Sequence, residues 1–479
     1  MKLVLTEKPS VARDIARVLG ISNKHTGYFD GNGMVVTWAF GHLIELCQPD
    51  EYNDTYKQWV LEALPIIPET FQKKVTESSK DQFKIIEMLF KRSDVKDVVC
   101  ATDAGREGEL IFRMIYDHCN SKLPIQRLWI SSQTDTAIKE GFSKLKSGKE
   151  YEGLYDSAQC RSEADWLVGI NATRAYSIKF SRGHGVMSVG RVQTPVLKMI
   201  VDRYRAHIQF ESKPFYEVLV DVKHDNGSFQ SKWFTRDTDR LEKQDDAEVI
   251  KKDIEAVRTG FIKSLTKRKI NEKPPLLYDL TELQKEANRQ FNYSADQTLK
   301  IAQSLYENHK ILSYPRTSSR YLSTDIEPKC PQLLEILKSV SLFKPFIETI
   351  QEQKGRISKR MIDNKKVTDH HAIIPTDKRP DMSRLNEQEA NLYQLVIKRF
   401  LAAFYPDCEK NHTEIIMSFD VHLTKSVGTV IEVLGWREVY RGQVDKTKDK
   451  KKEKEILLPI VKENDGVEAE NVTVKKGQT

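Results

Sequence analysis

The sequence predicts an α/β domain at the N-terminus, followed by mixed helical and β-rich domains. Residues 1–150 alternate short apolar runs with amphipathic segments, the pattern of strands and helices in a largely parallel sheet. From residue 151 the pattern becomes helical, whereas 215–265 and 414–439 alternate apolar and polar residues with period two. The length of 479 residues suggests about three domains.

Two polar turns of the N-terminal domain each follow a predicted strand. Lys2–Thr6 is followed by Glu7 and Lys8, and then by a helix in which Pro9 suits the first turn. Residues 98–101 form a second strand, and residues 103–109 lead into an amphipathic helix; the glycines at 105 and 108 are expected to let the backbone turn tightly. If these strands are neighbours, Glu7 and Lys8 face Asp103 at the carboxyl edge of the sheet.

The carboxylates at this edge have two explanations. Glu7, Asp103 and Glu107 are hard oxygen ligands of the kind that Mg²⁺ prefers, with Glu109 nearby, and Lys8 beside them suits phosphoryl transfer. Alternatively, Asp103 and Glu107 only cap and charge a helix N-terminus. The spacing of these residues alone leaves both explanations open.

A second group of candidate residues lies far along the chain. Tyr314 is followed by Arg316, and on a strand both side chains share one face. A tyrosine hydroxyl is a poor nucleophile unless a cation stabilises the developing charge, although a tyrosine beside a proline is more often a packing residue. His370 could donate a hydrogen bond to phosphate; the alternative for His370 and His371 is a surface pair without a role.

Composition excludes several classes of function. The net charge of +7 is compatible with a nucleic-acid partner, although a solvated surface gives a similar excess. The six cysteines show no C-x-x-C spacing, which argues against a zinc ribbon and favours a reducing cytoplasm. No apolar stretch approaches the ~18 residues of a membrane span. No P-loop motif is present, so the sequence predicts no ATPase site.

The motifs together resemble those of the type IA DNA topoisomerases, nearest the topoisomerase III branch. The first two stretches resemble the Toprim metal-binding fold, with Gly105 in place of its middle acid. Six motifs occur in family order: residues 5–10, 101–109, 188–195, 274–275 with 283–284, 313–316 and 370–376.

The resemblance implies a Toprim domain followed by a multi-domain toroidal core around a DNA-sized hole. The expected division is a Toprim domain at 1–150, the first part of a helical arch base at 151–210, a hinge β-domain at 211–270 and 407–443, and a tyrosine domain at 271–406. Residues 444–479 are expected to begin the return to the arch base, which leaves the core C-terminally incomplete.

The same resemblance implies a role for each candidate residue. Tyr314 would form a 5′-phosphotyrosyl link, Arg316 would stabilise the transition state, and Lys8 would assist proton transfer close to Glu7. His370 would contact the scissile phosphate, and Mg²⁺, needed chiefly for religation, would bind among Glu7, Asp103 and Glu107. The residues expected to bind the DNA strand are Arg161, Asp165, Arg191, Gln193 and Thr194.

The implied function is ATP-independent cutting, passage and religation of DNA strands, which relaxes negative supercoils or decatenates DNA. The implied protein is a monomer of the cytoplasm, associated with the nucleoid, with a helicase as a candidate partner. Two rival hypotheses remain. One is a Toprim nuclease or primase that does not use Tyr314, and the other is an inactive fragment that binds single-stranded DNA.

Overall fold

A computed structural model describes residues 1–130, 134–181, 183–367, 370–441 and 457–479. The chain divides into two compact units. The first contains residues 1–204, 277–345 and 359–397, and the second contains residues 205–276, 346–358 and 398–479. Among the described residues, no helix is long and apolar enough to cross a membrane.

The N-terminal part of the first unit is an α/β domain. Its strands are β1 (Lys2–Thr6), β2 (Asn23–His25), β3 (Tyr28–Gly31), β4 (Met34–Trp38), β5 (Ile44–Leu46), β6 (Lys73–Val75), β7 (Asp97–Ala101), β8 (Ile125–Arg127) and β9 (Lys146–Ser147). Its helices are α1 (Pro9–Val18), α2 (Pro49–Tyr52), α3 (Lys80–Phe90), α4 (Arg106–His118) and α5 (Asp135–Ser143).

The later elements alternate between the two units. They are α6 (Glu152–Phe180), α7 (Gln193–Ile208), β10 (Pro214–His224), β11 (Gly227–Trp233), α8 (Gln244–Val257), β12 (Thr259–Glu272), α9 (Leu280–Phe291), α10 (Ala295–Glu307), α11 (Cys330–Lys338), α12 (Lys344–Glu352), α13 (Glu387–Ala402), β13 (Cys408–Phe419), β14 (His422–Val433) and β15 (Gly466–Gln478). Short 3₁₀-helices cover Asp54–Lys57, Leu61–Ala63, Glu77–Ser79, Gly148–Tyr151, Glu327–Lys329, Lys359–Met361, Asn364–Lys366, Met382–Arg384 and Gly435–Tyr440.

The main sheet of the first unit places two strands with polar carboxyl ends side by side. The described strands follow the order β2-β3-β4-β1-β7-β8-β9, and β1 is parallel to both β4 and β7. The buried side chains of β1 alternate between two apolar layers. Leu3 and Leu5 pack with α3 and α4, whereas Val4 packs with α1 and α5 on the other face. The two layers fix the register of β1 against β4 and β7, and therefore the position of the carboxyl ends of these strands.

Helix α6 is anchored to the loops of the α/β domain by buried polar contacts. The Trp166 indole donates to the carbonyl of Cys47 at 3.0 Å, and Arg174 donates to the carbonyl of Tyr56 at 2.7 Å. The Asn171 amide pairs with both backbone groups of Ile66. These bonds satisfy loop groups that would otherwise be left unpaired.

The second unit contains a closed β-barrel with the order β10-β11-β14-β13-β12-β15 in its described part. Strands on both sides of residues 273–407 in the sequence therefore lie in one barrel. Strand β15 pairs with β10 over most of its length and with β12 at its start. This placement corrects the expected division at residue 444, because residues 466–478 belong to the β-barrel and not to a helical arch base. Residues 444–456 lie outside the described part of the chain.

Candidate active site

Glu7 and Asp103 meet at the carboxyl edge of the central sheet. In the parallel pairing of β1 with β7, Thr6 lies opposite Ala101, so both chains leave the sheet at the same level. The backbone N–H of Asp103 donates to Oε2 of Glu7 at 3.3 Å. The predicted proximity of the two polar turns is therefore confirmed.

The two glycines of the second turn act differently from the prediction. Gly105 is the N-cap of α4 with φ −177°, an extended conformation open to any residue. Gly108 lies within α4, where an added Cβ would stand 2.1 Å from the carbonyl oxygen of Asp103. The requirement for glycine is thus a close approach of helix and turn, and not a tight backbone turn.

Lys8 lies between two carboxylates. Its backbone carbonyl begins α1 by accepting from the N–H of Ala12, and its Nζ lies 3.5 Å from Oδ2 of Asp103 and 3.4 Å from Oε1 of Glu307. Burial opposes the charged form, but the combined negative charges of Asp103, Glu307 and Glu7 outweigh it, and the pKa of Lys8 is raised. Lys8 is therefore an ammonium ion at neutral pH.

The electrostatics of Glu7 differ from those of an exposed carboxylate. Burial is the largest influence and the negative charge of Asp103 the next, and together they raise the pKa of Glu7 to about 7. Lys8 acts in the opposite direction without cancelling this effect. A carboxyl group with a pKa near the working pH can both take up and release a proton.

Tyr314 points its hydroxyl into this carboxylate group. The hydroxyl donates to Oδ2 of Asp103 at 3.4 Å, and the ring packs against Tyr306 and His370 with centroids 5.3 and 4.3 Å away. Burial and then the charges of Asp103 and Glu7 raise the pKa of Tyr314 above that of a free phenol. The structure thus brings Tyr314, Lys8, Glu7 and Asp103 together within the first unit.

His370 and His371 are both buried, which rules out the alternative of a surface pair. Burial lowers the pKa of His370 to about 4, so its ring is neutral at pH 7. Its Nδ1 is buried and has no hydrogen-bond partner among the described residues. Nδ1 of His371 instead lies 2.7 Å from the carbonyl oxygen of Ala372.

Arg316 is exposed two residues beyond Tyr314. Residues 313–316 lie in no described strand, so the shared strand face expected for Tyr314 and Arg316 is not formed; the neighbouring Leu312 forms an isolated bridge with Pro375. With the Gln303 amide oriented to accept, Arg316 donates to it from Nε at 3.2 Å and from Nη2 at 3.0 Å. The positive charge of Arg316 acts to lower the pKa of Tyr314, against the stronger effect of burial.

The predicted metal ligands are only partly assembled. Glu107 is 61% exposed and its Oε2 lies 3.6 Å from Nε2 of His42. Within the described residues, no group of three acidic, histidine or cysteine side chains stands ready to hold a metal ion. Glu7 and Asp103 remain as two adjacent hard oxygen donors, which fits Mg²⁺ because this ion commonly binds through one or two carboxylates, phosphate and water.

Glu109 cannot replace the missing acid at position 105. It is fully buried, with Oε2 3.1 Å from Nε of Arg127 and Oε1 2.9 Å from Nε of Arg113. Glu109 is therefore not available as a metal ligand, because its charge is already neutralised inside the domain.

Arg127 supports the candidate site and was missed by the sequence analysis. Its guanidinium is buried and donates to the carbonyls of Cys100, Thr102 and Leu128 from Nη1, and to that of Asp103 from Nη2 at 2.7 Å. It therefore fixes the backbone of the turn that carries Asp103. A charged residue directly before the apolar run 128–130 was the available signal, but its partners are not visible from sequence spacing.

The residues expected to bind DNA form a polar group at the junction of α6 and α7. Arg191 makes a two-point ion pair with Asp165, with Nη2 3.0 Å from Oδ2. Gln193 donates to Oγ of Ser188 at 2.7 Å, and Oγ1 of Thr194 accepts from the N–H of Gly190. Arg161 lies one helical turn before Asp165 on α6.

Comparison with known families agrees with this geometry. A family model for the Toprim domain matches residues 2–133, and a model described as DNA topoisomerase matches residues 149–479. The chain belongs to the DNA topoisomerase family. The resemblance identified from the six motifs is thereby confirmed.

Similar proteins with the same family name cover the whole chain. DNA topoisomerase 3 of Shouchella clausii and that of Bacillus subtilis are each 42% identical to it over 100% of its length. The chain spans 64% of the length of these relatives. The fold is similar to that of full-length topoisomerase I from Thermotoga maritima, with a TM-score of 0.68 and 19% identity, covering 100% of this chain and 72% of that one.

Proposed function

We propose that this topoisomerase family member cuts one strand of DNA with Tyr314 as the nucleophile. The phenolic oxygen attacks the scissile phosphorus, a 5′-phosphotyrosyl bond forms, and the bond from phosphorus to the 3′-oxygen breaks. Attack by the freed 3′-hydroxyl reverses the exchange after another strand has passed, without ATP. The observation that carries this proposal is the contact of the Tyr314 hydroxyl with Asp103, beside Lys8 and Glu7.

The proton transfers follow from the charges around Tyr314. Because its pKa is raised, Tyr314 is a neutral phenol at pH 7 and must lose its proton during attack. Asp103 accepts a hydrogen bond from this hydroxyl, and Glu7 in contact with Asp103 has a pKa near 7, which suits it to hold the proton. Lys8 supplies a proton to the leaving 3′-oxygen, since a cationic donor also stabilises the charge that develops there.

His370 and Arg316 bind the phosphate in this proposal. A neutral His370 ring donates one hydrogen bond from the nitrogen that carries its proton. The guanidinium of Arg316 is exposed and, among the described residues, is held by the Gln303 amide, so it can turn to pair with two phosphate oxygens. This pairing stabilises the charge that the phosphate gains during attack.

Glu7 and Asp103 would hold Mg²⁺, with Glu107 as a third donor once it leaves His42. The ion would supply charge neutralisation at the phosphate, chiefly for religation. Asp103 would then share its negative charge between the cation, Lys8 and Tyr314. Gly105 provides no side chain, so Glu7, Asp103 and Glu107 would be the protein donors.

The group at the α6–α7 junction would position the DNA strand. Arg161, Arg191, Gln193 and Thr194 contact phosphates, and Asp165 orients the Arg191 guanidinium for this purpose. We further propose that the protein acts as a monomer in the cytoplasm, on negatively supercoiled or catenated DNA, with a helicase as partner.

The test is covalent capture on a single-stranded oligonucleotide. One sample carries a label at the 3′ end of the oligonucleotide and another at the 5′ end, and the reaction is stopped with detergent. We expect the 3′ label alone to travel with wild-type protein and neither label with Tyr314→Phe. Tyr321→Phe, in the same loop, is the matched control and should form the adduct.

Two outcomes would overturn the proposal. Cleavage that persists in Tyr314→Phe would indicate a metal-dependent nuclease. DNA binding without any adduct in the wild type would indicate a binding protein without turnover.

A further inference from the structure

The ammonium of Lys8 is held by one residue that no motif of the sequence includes. Its Nζ lies 3.4 Å from Oε1 of Glu307 and 3.5 Å from Oδ2 of Asp103. About a third of each of the Lys8 and Glu307 side chains is exposed, so the pair is partly shielded from water. The two carboxylates come from different parts of the first unit, because Asp103 follows β7 and Glu307 ends α10.

Glu307 stands on a firm support next to the nucleophile. Leu305 and Tyr306 of the same helical turn are buried, and Tyr306 packs edge-on against the Tyr314 ring. The carbonyl of Leu305 accepts from the N–H of Ile311, which fixes the path from α10 toward Tyr314. The position of the Glu307 carboxylate is therefore tied to that of the Tyr314 ring.

A second ion pair of opposite polarity joins the same two elements. Lys310, three residues after Glu307, pairs with Asp14 of α1, and both side chains are largely buried. Lys8 precedes α1, so the start and the middle of that helix are each linked to the segment that leads to Tyr314. These contacts hold Lys8 and Tyr314 in a fixed position relative to each other.

We propose that Glu307 is a positioning residue that holds the Lys8 ammonium beside the Tyr314 hydroxyl for strand cleavage. This inference rests on the proposed function and assigns a residue to it. With Glu307 in place, the ammonium is shared between two carboxylates and remains near the reacting oxygen. Without it, Asp103 and Glu7 are the remaining carboxylates, and the ammonium shifts onto them and away from the leaving 3′-oxygen.

The experiment compares single-turnover cleavage and DNA affinity in a double-mutant cycle. The variants are Glu307→Gln, Lys8→Ala and the double variant, all in the full chain, with a 3′-labelled oligonucleotide at saturation. We expect Glu307→Gln to cleave about tenfold more slowly than wild type. This loss of rate is smaller than the loss expected on removal of a proton donor, because Lys8 is displaced but still present. The dissociation constant for the oligonucleotide should stay within about twofold of wild type, and the double variant should cleave no more slowly than Lys8→Ala.

Asp296→Asn is the matched control, since Asp296 lies at the other end of α10 and pairs with the exposed Lys300. It removes the same charge from the same helix and should cleave like wild type. Glu307→Asp retains the charge on a shorter side chain and should fall between wild type and Glu307→Gln.

Several results would overturn the inference while leaving the proposed function intact. They are a wild-type rate in Glu307→Gln, independent and multiplicative effects in the double variant, equal rates for the Asp and Gln variants, or loss of the fold on substitution. Absence of an adduct in the wild type would instead overturn the proposed function, and this inference with it.

Discussion

Substitution of Gly108 by alanine should damage the candidate site, although alanine favours helices. In an ordinary helix interior, Gly→Ala stabilises by about 1 kcal/mol. At position 108 the new Cβ would lie 2.1 Å from the carbonyl oxygen of Asp103 and 2.9 Å from its carbonyl carbon, whereas ordinary contacts begin at 3.4 Å. The helix or the turn must therefore move by more than about 1 Å.

This displacement should affect activity more than stability. Overpacking of this kind costs about 1–3 kcal/mol, which offsets or exceeds the gain in helix propensity. A shift of about 1 Å in a catalytic group can reduce a rate by about 10². Because Asp103 accepts from Tyr314 and pairs with Lys8, we expect Gly108→Ala to form the adduct on the order of a hundredfold more slowly.

The assay is the rate of adduct formation together with the melting temperature. Gly169→Ala is the control, because its added Cβ in α6 would make only an ordinary contact at 3.8 Å, with the carbonyl of Val189. This control should be at least as stable as wild type and equally active. A Gly108→Ala protein with wild-type activity would refute the argument, since it would show that Asp103 tolerates the displacement.

Two further predictions concern the buried charges. Glu109→Ala should lower the free energy of unfolding of the first unit by about 3–5 kcal/mol, because Arg127 is left buried without its carboxylate. Denaturant unfolding measures this change. The control is Glu87→Ala, which breaks the exposed pair with Lys91 and should cause no measurable change. For His370, the folded-state pKa of about 4 lies below the value of 6.5 for an exposed ring, so the unfolded state binds more protons between these values and stability falls as the pH falls. This group alone should cost about 2 kcal/mol at pH 5 relative to pH 8, and the pH dependence should be weaker in His370→Asn. An unchanged dependence would show that His370 has the same pKa in the folded and the unfolded protein.

The sequence predicted the local parts of the site well. The strand Lys2–Thr6, the strand before Asp103 and the helices that follow them were visible because apolar periodicity and Pro9 report local structure directly. The cap of α10 is equally local, since Ser294 accepts from the N–H of Gln297 three residues on. The proximity of Glu7 and Asp103 needed only the assumption that the two strands are neighbours.

The remaining features depend on contacts that spacing does not reveal. Glu307 lies 299 residues from Lys8, and Arg127 lies 18 residues from the Glu109 carboxylate that it neutralises. In β15 the apolar positions lose their alternation between Ala469 and Val472, since a bulge inserts an extra residue there. The period-two signal of that strand is therefore broken in the sequence.

The pairing of β10 with β15 also has a consequence for folding during synthesis on the ribosome. Phe215 lies opposite Gly477, so more than half of the chain must be translated after β10 before this pairing can form. Until then the edges of β10 and β12 are open to pairing with other chains. At synthesis rates of about 5–20 residues per second this wait lasts for ~10 s or longer. The nascent second unit is thus the part of this polypeptide for which chaperone protection matters most during expression.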